Sequence, residues 1–288
     1  MAYCRECGAK LPQDARFCPK CGAPVAEAGT AKQQEHRVLK VSAKPKVILV
    51  NHAPGKVDVK TGADGEVVVD LDLREAGDLD WSISQEGNIV TVRCRARVHF
   101  MNWPRYFVSG GPRADMSVSL PAETDLDVEA HLDQVTVAGL KGSVAVDSSV
   151  AKVSIGNCEG SVKVSGKTGT IDLRNVSGTV TVKSATGPVD LENVNGAITV
   201  QNTTGPIRFA GSPSTGESWF RTRTGSIDVL LRGQLDLTVE AYSRLGTVTC
   251  VPDMGNARRD RGRCTGKMGA GSGKLVAETE TGSITIRQ

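Results

Sequence analysis

Residues 160–204 read GSVKVSGKTGTIDLRNVSGTVTVKSATGPVDLENVNGAITVQNTT, and within them a five-residue block of alternating aliphatic and polar residues begins every nine residues. Alternation of this kind buries one face of a strand and exposes the other. The four residues between blocks, such as those at 174–177, are enough for a bend and too few for a helix. A short period with strand character predicts an all-β parallel β-solenoid, also called a β-helix.

The nine-residue spacing extends well beyond this stretch. The blocks begin at Gly142, Ala151, Gly160, Gly169, Gly178, Gly187, Gly196 and Gly205. Two blocks would close a coil of about 18 residues with two facing sheets, and three would close a triangular coil of about 27. We favour two, which stacks Val180 on Ile198 and Ile171 on Val189. Calcium-binding β-rolls also repeat every nine residues, but they need Asp and paired glycines in every turn, and these turns lack them.

The segment MSVSLPAETDLDVEAHLDQVTVAGLKGSVAV, from Met116, is followed by the serial blocks and by the ending TETGSITIR. Together these segments resemble the bacterial putative-adhesin domain, a β-solenoid family of undefined function. The resemblance covers about residues 45–288. It implies the solenoid fold, and the family's name implies exposure at a cell surface.

A different pattern occupies the N-terminus, where two CxxC pairs are separated by ten residues. Zinc prefers four tetrahedral thiolates, and two CxxC turns at this separation can supply them. A glycine follows each pair and can adopt the positive φ that turns backbone N–H groups toward the thiolates. The strings CRECG and CPKCG resemble the two knuckles of a zinc ribbon over residues 3–25. We therefore expect one structural Zn²⁺ held by Cys4, Cys7, Cys18 and Cys21.

Two disulfides, or a redox-active CxxC, are the alternatives for these cysteines. A catalytic zinc is less consistent with the pattern, because four thiolates leave no open coordination position. The sequence thus divides into three predicted parts, with the solenoid subdivided by the regularity of its repeat. These parts are a zinc ribbon at 1–25, a linker at 26–44 and a solenoid at 45–288, with irregular or capping strands at 45–120, regular repeats at 124–210 and interrupted repeats at 225–288.

Charge and hydropathy exclude some classes of protein. The 35 basic and 32 acidic residues leave a net charge of only +3, so the chain lacks a global signature for nucleic acid or membrane binding. No apolar run is long enough to span a bilayer, and the N-terminus lacks the apolar segment of a signal peptide. Closely spaced thiols also suit a reducing compartment, so we expect a cytoplasmic protein.

Two basic segments are candidate anion contacts. Residues 90–100 predict a strand with aliphatic residues on one face and Arg93, Arg95, Arg97 and His99 on the other. Residues 252–274 carry six basic and two acidic residues with six glycines, which predicts an irregular loop. Its possible polyanion contacts are Arg258, Arg259, Arg261 and Arg263. Between the two segments, the aromatic stretch 103–107 is predicted to cap the solenoid or to form a binding loop.

No recognisable catalytic constellation is present, since the chain lacks a Walker loop, a G-x-S-x-G elbow and an H-E-x-x-H motif. Cys94 and Cys250 occupy aliphatic strand positions and are predicted to be small core residues. We therefore expect a non-enzymatic interaction or scaffold protein with an unnamed protein partner, and self-association through the solenoid ends is a further prediction. The alternatives are nucleic-acid binding through the ribbon and residues 258–263, and a polysaccharide-active enzyme using stacked carboxylates such as Asp172 and Asp190.

Overall fold

Strands make up almost all of the regular structure in the computed structural model, which describes residues 2–4, 7–11, 18–22, 32–97, 111–214 and 216–288. A single 3₁₀ turn, Ala76–Asp78, is the exception within these residues. The strands are β1 (Ala2–Tyr3), β2 (Lys10–Leu11), β3 (Gln33–Lys40), β4 (Lys46–Asn51), β5 (Lys56–Thr61), β6 (Glu66–Arg74), β7 (Leu79–Glu86), β8 (Ile89–Ala96), β9 (Arg113–Leu120), β10 (Asp125–Ala138), β11 (Lys141–Thr168), β12 (Ile171–Thr186), β13 (Val189–Thr204), β14 (Ile207–Pro213), β15 (Glu217–Thr224), β16 (Ile227–Leu231), β17 (Leu237–Leu245), β18 (Val248–Cys250), β19 (Gly255–Asp260), β20 (Arg263–Met268), β21 (Gly273–Thr281) and β22 (Ile284–Arg287).

Beyond β1 and β2, the strands form two ladders, and the long strands β10 to β13 turn a corner and contribute to both. One ladder runs β7-β8-β4-β10-β11-β12-β13-β15-β21-β17-β20-β19. The other runs β3-β6-β9-β5-β10-β11-β12-β13-β14-β16-β22-β18. Inward-facing aliphatic residues from both ladders pack into one continuous core. The prediction of an all-β, solenoid-like fold is confirmed.

From β10 to β13 the strands pair in parallel, with partners 18 residues apart, for example Val180 with Ile198 and Ile171 with Val189. These are the two pairs expected for a coil of two strands. All four side chains are buried, whereas Thr181, on the opposite face of β12, is only partly buried. The alternation of aliphatic and polar residues therefore separates a buried face from a solvent-facing one.

Small residues and amides line the corners of the coils. Gly178 has a φ of +126°, and a Cβ there would lie closer than 3.0 Å to the carbonyl oxygen of Gly160 in the coil before it. At another corner, Asn157, Asn175 and Asn193 adopt left-handed φ values of 52–53°. Their side chains form a ladder across the coils. The Nδ2 of Asn175 donates to the Oδ1 of Asn157 at 3.0 Å, and the Nδ2 of Asn193 donates to the Oδ1 of Asn175 at 2.8 Å. The backbone positions at these corners thus favour glycine and asparagine.

The ends of the solenoid depart from parallel pairing. At the N-terminal end β6 pairs antiparallel with β3 and β9, and β7 pairs antiparallel with β8. At the C-terminal end β20 pairs antiparallel with β17 and β19. Within the described residues, β3, β7, β18 and β19 each have a single partner strand and are the edges of the two ladders. The predicted cap at 103–107 lies outside the described residues.

Two predictions of irregular structure are wrong. Residues 33–40, assigned to a linker, form β3 and pair with β6 along their full length. Because β3 is an edge strand with few half-buried residues, it lacks the hydrophobic alternation that marks an inner strand. The glycine-rich segment at 252–274 contains the β19–β20 hairpin and the start of β21. Its glycines serve turns, as at Gly269 and Gly271, where φ is +64° and +79°.

The hairpin also brings two cysteines together. Cys250 of β18 and Cys264 of β20 are disulfide-bonded, with Cα atoms 6.6 Å apart. Cys250 lies in the hydrophobic core, as predicted, and the bond to Cys264 is a feature that the sequence analysis did not predict. Cys94 and Cys158 are buried and free, and burial raises the pKa of the Cys94 thiol to about 12. The prediction for Cys94 as a core residue agrees with this position.

Candidate metal centre and binding surfaces

Two short turns build the cysteine site. The backbone N–H of Gly8 donates to the carbonyl oxygen of Cys4 at 2.9 Å, and that of Gly22 donates to Cys18 at 2.8 Å. Both glycines have positive φ, +70° and +71°, as expected for residues that close a knuckle. The antiparallel pair β1–β2 holds the first knuckle, since Tyr3 pairs with Lys10.

The four sulfur atoms converge. The Sγ atoms of Cys4, Cys7, Cys18 and Cys21 all lie within 4.8 Å of one another, and no disulfide links them. The Sγ of Cys4 is 3.4 Å from that of Cys21, and the Sγ of Cys7 is 3.5 Å from that of Cys18. Around a zinc ion with bonds of about 2.3 Å, tetrahedral sulfurs would lie about 3.8 Å apart. The donor set and its spacing therefore fit zinc.

The electrostatics of Cys18 also suit metal binding. Burial acts to raise the pKa of this thiol, but hydrogen bonds from the backbone N–H groups of Cys21 and Lys20 outweigh it and lower the pKa to about 6. A thiolate, and not a thiol, is the metal ligand. The backbone donors therefore stabilise the thiolate form of Cys18, which is the form that binds a metal ion.

Arg93 and Arg95 of β8, and Arg97 directly after it, face solvent. Arg93, Arg95 and Arg97 are exposed, and the alternate residues Val92 and Cys94 are buried. Arg97 donates from Nη2 to Asp80 at 2.6 Å, and Asp80 is also the register partner of Arg95. One carboxylate on β7 therefore neutralises part of this basic row. His99 lies outside the described residues.

The second basic surface is the β19–β20 hairpin. Arg258, Arg259, Arg261 and Arg263 are all exposed on it. Within the described part of the chain, Arg259 donates to the carbonyl oxygen of Pro252 at 2.9 Å, and none of the four forms a salt bridge. The structure therefore brings the four predicted arginines together on one solvent-facing hairpin.

The stacked carboxylates considered for a polysaccharide-active site are indeed neighbours, because Asp172 pairs in register with Asp190. Each has its own guanidinium partner, however. Arg174 donates to Asp172 at 3.0 Å and Arg208 donates to Asp190 at 3.1 Å. The arrangement is that of an exposed charge ladder along the coils.

Sequence reasoning missed two features. One is a groove of about 320 Å³ on the outer face of β4, β10 and β11. The other is a cluster of His52, Glu129 and His131, whose ligand atoms lie within 4.8 Å of one another. The two histidines are 79 positions apart and are joined only by the register of β4 with β10. No local sequence signal could have revealed either feature.

Two known protein families match this chain. Residues 46–287 match the family described as Toastrack DUF4097, and residues 3–25 match the zinc-ribbon domain. The chain belongs to the Toastrack DUF4097 family. The predicted resemblance to a solenoid family of unknown function, with an N-terminal zinc ribbon, is confirmed. In this Toastrack chain the four clustered cysteines coincide with the zinc-ribbon match, which indicates a zinc site.

Solved structures similar to this Toastrack chain include two proteins described as adhesive. A putative adhesin from Bacteroides fragilis NCTC 9343 is 12% identical, over 89% of this chain and 98% of its own, with a TM-score of 0.37. A putative cell adhesion protein from Clostridium sporogenes ATCC 15579 is 10% identical, over 89% and 99%, with a TM-score of 0.31. A putative lipid binding protein from Parabacteroides distasonis ATCC 8503 is 12% identical, over 88% and 97%, with a TM-score of 0.37. Comparison with curated proteins yields no match.

In the part of the chain that the structure describes, no helix has the length and apolar character needed to cross a bilayer.

Proposed function

We propose that this Toastrack chain is a non-enzymatic interaction protein in which the zinc ribbon and an outer face of the solenoid bind other proteins. The ribbon would carry one structural Zn²⁺ on Cys4, Cys7, Cys18 and Cys21. Because four thiolates close the coordination shell, the ion contributes folding energy and shape to the ribbon. In the solenoid, nine-residue blocks, two to each coil, would supply a rigid surface, and the edge strands β3 and β7 would allow self-association.

The observation that carries the proposal is the groove on β4, β10 and β11. Half-buried aliphatic side chains form its floor, and carboxylates stand along it. Asp127 is paired with Lys46 at 2.8 Å, whereas Asp147 has no ion-pair partner among the described residues. An apolar floor beside carboxylates suits a protein segment with aliphatic and basic side chains. The residues that line the groove are Ile48, Leu49, Val50, Asp127, Val128, Glu129, Ala145, Val146, Asp147, Lys163 and Ser165.

Affinity capture with the full chain and point variants tests the proposal. Ala145→Arg places a long cationic side chain on the floor of the groove and should abolish capture of a partner that the wild type retains. Thr199→Arg is the matched control, because Thr199 is also outward-facing and half-buried but lies outside the groove. Cys18→Ser removes one ribbon ligand and measures the contribution of the ribbon.

The outcomes separate the two surfaces. Equal capture by Ala145→Arg and Thr199→Arg would eliminate the groove as the binding surface, and undiminished capture by Cys18→Ser would eliminate the ribbon. A wild-type chain that is monomeric and retains no specific partner contradicts the whole proposal.

The charge ladder supports the non-enzymatic part of the proposal. A catalytic carboxylate must be accessible to the substrate, whereas Asp172 and Asp190 are each paired with an arginine. Incubation with a broad polysaccharide panel should give no hydrolysis. Turnover that is lost in Asp172→Asn would reverse this conclusion.

The β19–β20 hairpin favours nucleic-acid binding as a second candidate function. Its four exposed arginines lack carboxylate partners among the described residues and are free to contact phosphate. Replacing Arg258, Arg261 and Arg263 together by Gln should abolish a salt-sensitive mobility shift of DNA or RNA. If the wild type gives no shift at low salt, this candidate is excluded.

We also propose a cytoplasmic location, which the closely spaced cysteines of the ribbon support. The Cys250–Cys264 disulfide provides the test, since a reducing compartment should keep that pair as thiols. Alkylation of intact cells with a trapping reagent, followed by mass spectrometry, reports their state. An oxidised pair in rapidly trapped cells would place the protein in an oxidising compartment.

A further inference from the structure

Three side chains on the solenoid, none of them a ribbon residue, have the composition of a metal site. In the parallel pairing of β4 with β10, Glu129 is opposite Val50 and Ala130 is opposite Asn51. The next residue on each chain is a histidine, His52 after β4 and His131 within β10. The sheet register therefore delivers two imidazoles to the same point beside a carboxylate.

The distances within this cluster match a coordination shell. The Nε2 of His52 lies 2.8 Å from Oε1 of Glu129, and the Nε2 of His131 lies 3.8 Å from the same oxygen. Tetrahedral zinc, with bonds of about 2.0–2.2 Å to nitrogen and oxygen, separates its ligand atoms by about 3.4 Å. The two distances lie on either side of that value, so rotation of the side chains would bring the three ligand atoms to the spacing of a shell.

The backbone and the ring stack hold the three side chains of the cluster close together. The two imidazoles are stacked, with centroids 4.0 Å apart and an interplanar angle of 11°. The His52 side chain is only 17% exposed, and its backbone N–H donates to the carbonyl oxygen of Cys94 at 2.8 Å. Glu129 and His131 are about half exposed, which leaves an entry path from solvent. Because the nitrogen lone pairs of stacked rings lie in parallel planes, at least one ring must tilt before both nitrogens can face the same ion.

We propose that His52, Glu129 and His131 form a second metal site, for a first-row transition ion such as Zn²⁺. Two imidazoles and one carboxylate suit zinc, copper or nickel. Calcium and magnesium, in contrast, require a shell of oxygen ligands that this cluster lacks. Three protein ligands leave a fourth position for water or for a group from a bound partner. The site differs from the ribbon in using nitrogen and oxygen instead of sulfur, and it does not depend on the proposed protein-binding role.

Equilibrium dialysis of the full chain against Zn²⁺ tests the stoichiometry, starting from protein whose ribbon is already loaded. The wild type should bind one further equivalent. His52→Gln and His131→Gln should each weaken that binding at least about 10-fold. His36→Gln is the matched control, because His36 pairs with a single carboxylate, Asp70, at 2.6 Å and should leave the extra equivalent unchanged.

Histidine ring signals in NMR spectra give an independent readout in the unmodified chain. Adding Zn²⁺ should shift the His52 and His131 signals together and leave His36 in place, while Mg²⁺ should shift none of them. If the histidine variants unfold, these signals and the exposed conservative variant Glu129→Gln, which should also weaken binding, decide the matter. Absence of a further equivalent, or an equal response from His36, overturns the proposal.

Discussion

Replacing Gly178 with alanine should strongly destabilise the solenoid. The residue has a φ of +126°, and forcing an L side chain into such a region costs about 1–3 kcal/mol. The new Cβ would also fall closer than 3.0 Å to a backbone oxygen of the neighbouring coil, so the strands must separate locally. If two hydrogen bonds of the ladder are lost, at about 1 kcal/mol each, the total reaches about 3–5 kcal/mol. That is a large share of the roughly 5–15 kcal/mol that stabilises a typical domain.

Urea unfolding monitored by circular dichroism measures this loss. Gly77→Ala is the matched control, because Gly77 has no neighbour within 4 Å of its would-be Cβ and no positive φ. It should change stability by about 1 kcal/mol at most, in the stabilising direction. If the two variants unfold with free energies within about 1 kcal/mol of each other, the account of close coil-to-coil contact is refuted.

Four further predictions concern other parts of the chain. Chelation of metal should make the ribbon at 1–25 protease-sensitive while the far-ultraviolet spectrum of the solenoid persists, and limited proteolysis with mass spectrometry tests this. Asn175→Ala should lower the free energy of unfolding by about 1–2 kcal/mol, because it removes the side-chain hydrogen bonds of the ladder and places an alanine in a left-handed conformation. Asn175→Gly should lower it less, since glycine removes the bonds without adding the backbone strain. Urea unfolding compares the two variants. Cys94 should resist alkylation at pH 8 until the chain unfolds, because burial raises its pKa to about 12, as timed iodoacetamide labelling would show. Hydrogen bonds from the Ser272 hydroxyl and from the backbone N–H groups of Ser272 and Gly271 lower the pKa of Asp236 in the folded protein. Relative to Asp236→Asn, the wild type should therefore have its full extra stability above about pH 3.9, the pKa of an unfolded Asp, and should lose it as the pH falls through the lower pKa of the folded state. Unfolding measured at several pH values tests this.

The regular middle of the solenoid could be predicted because the sequence pattern that specifies it repeats over short distances. Alternation of aliphatic and polar residues gives strands, and a fixed spacing gives the partners, so the pairing of Val180 with Ile198 follows from counting. The ends could not be predicted in this way. In β3 most side chains are exposed, and β19 is exposed along its whole length, so neither carries the periodic signal of an inner strand. Their pairing depends on neighbours that are distant in sequence.

The same distinction applies to the sites. Cys4 and Cys7, like Cys18 and Cys21, are close in sequence, and their spacing alone predicts convergence of the four sulfurs. His52 and His131 are more than seventy residues apart in sequence and become neighbours only because β4 pairs with β10. Cys250 and Cys264 come together only through the β19–β20 hairpin, and the glycines of that segment predict a loop instead of a hairpin. A site whose residues are close in sequence could therefore be predicted, whereas a site built from residues distant in sequence required the structure.

The order of strands at the C-terminal end has a consequence for biosynthesis. β21 pairs with β15 on one side and with β17 on the other, although β17 precedes it in the chain. A ribosome therefore releases β17 and its hairpin before the strand that joins them to the rest of the protein exists. Until β21 and β22 have emerged, β15 and β17 lack their partner β21, and β16 and β18 lack their partner β22. A chain truncated before residue 273 would keep these strand edges unpaired and would be prone to aggregate.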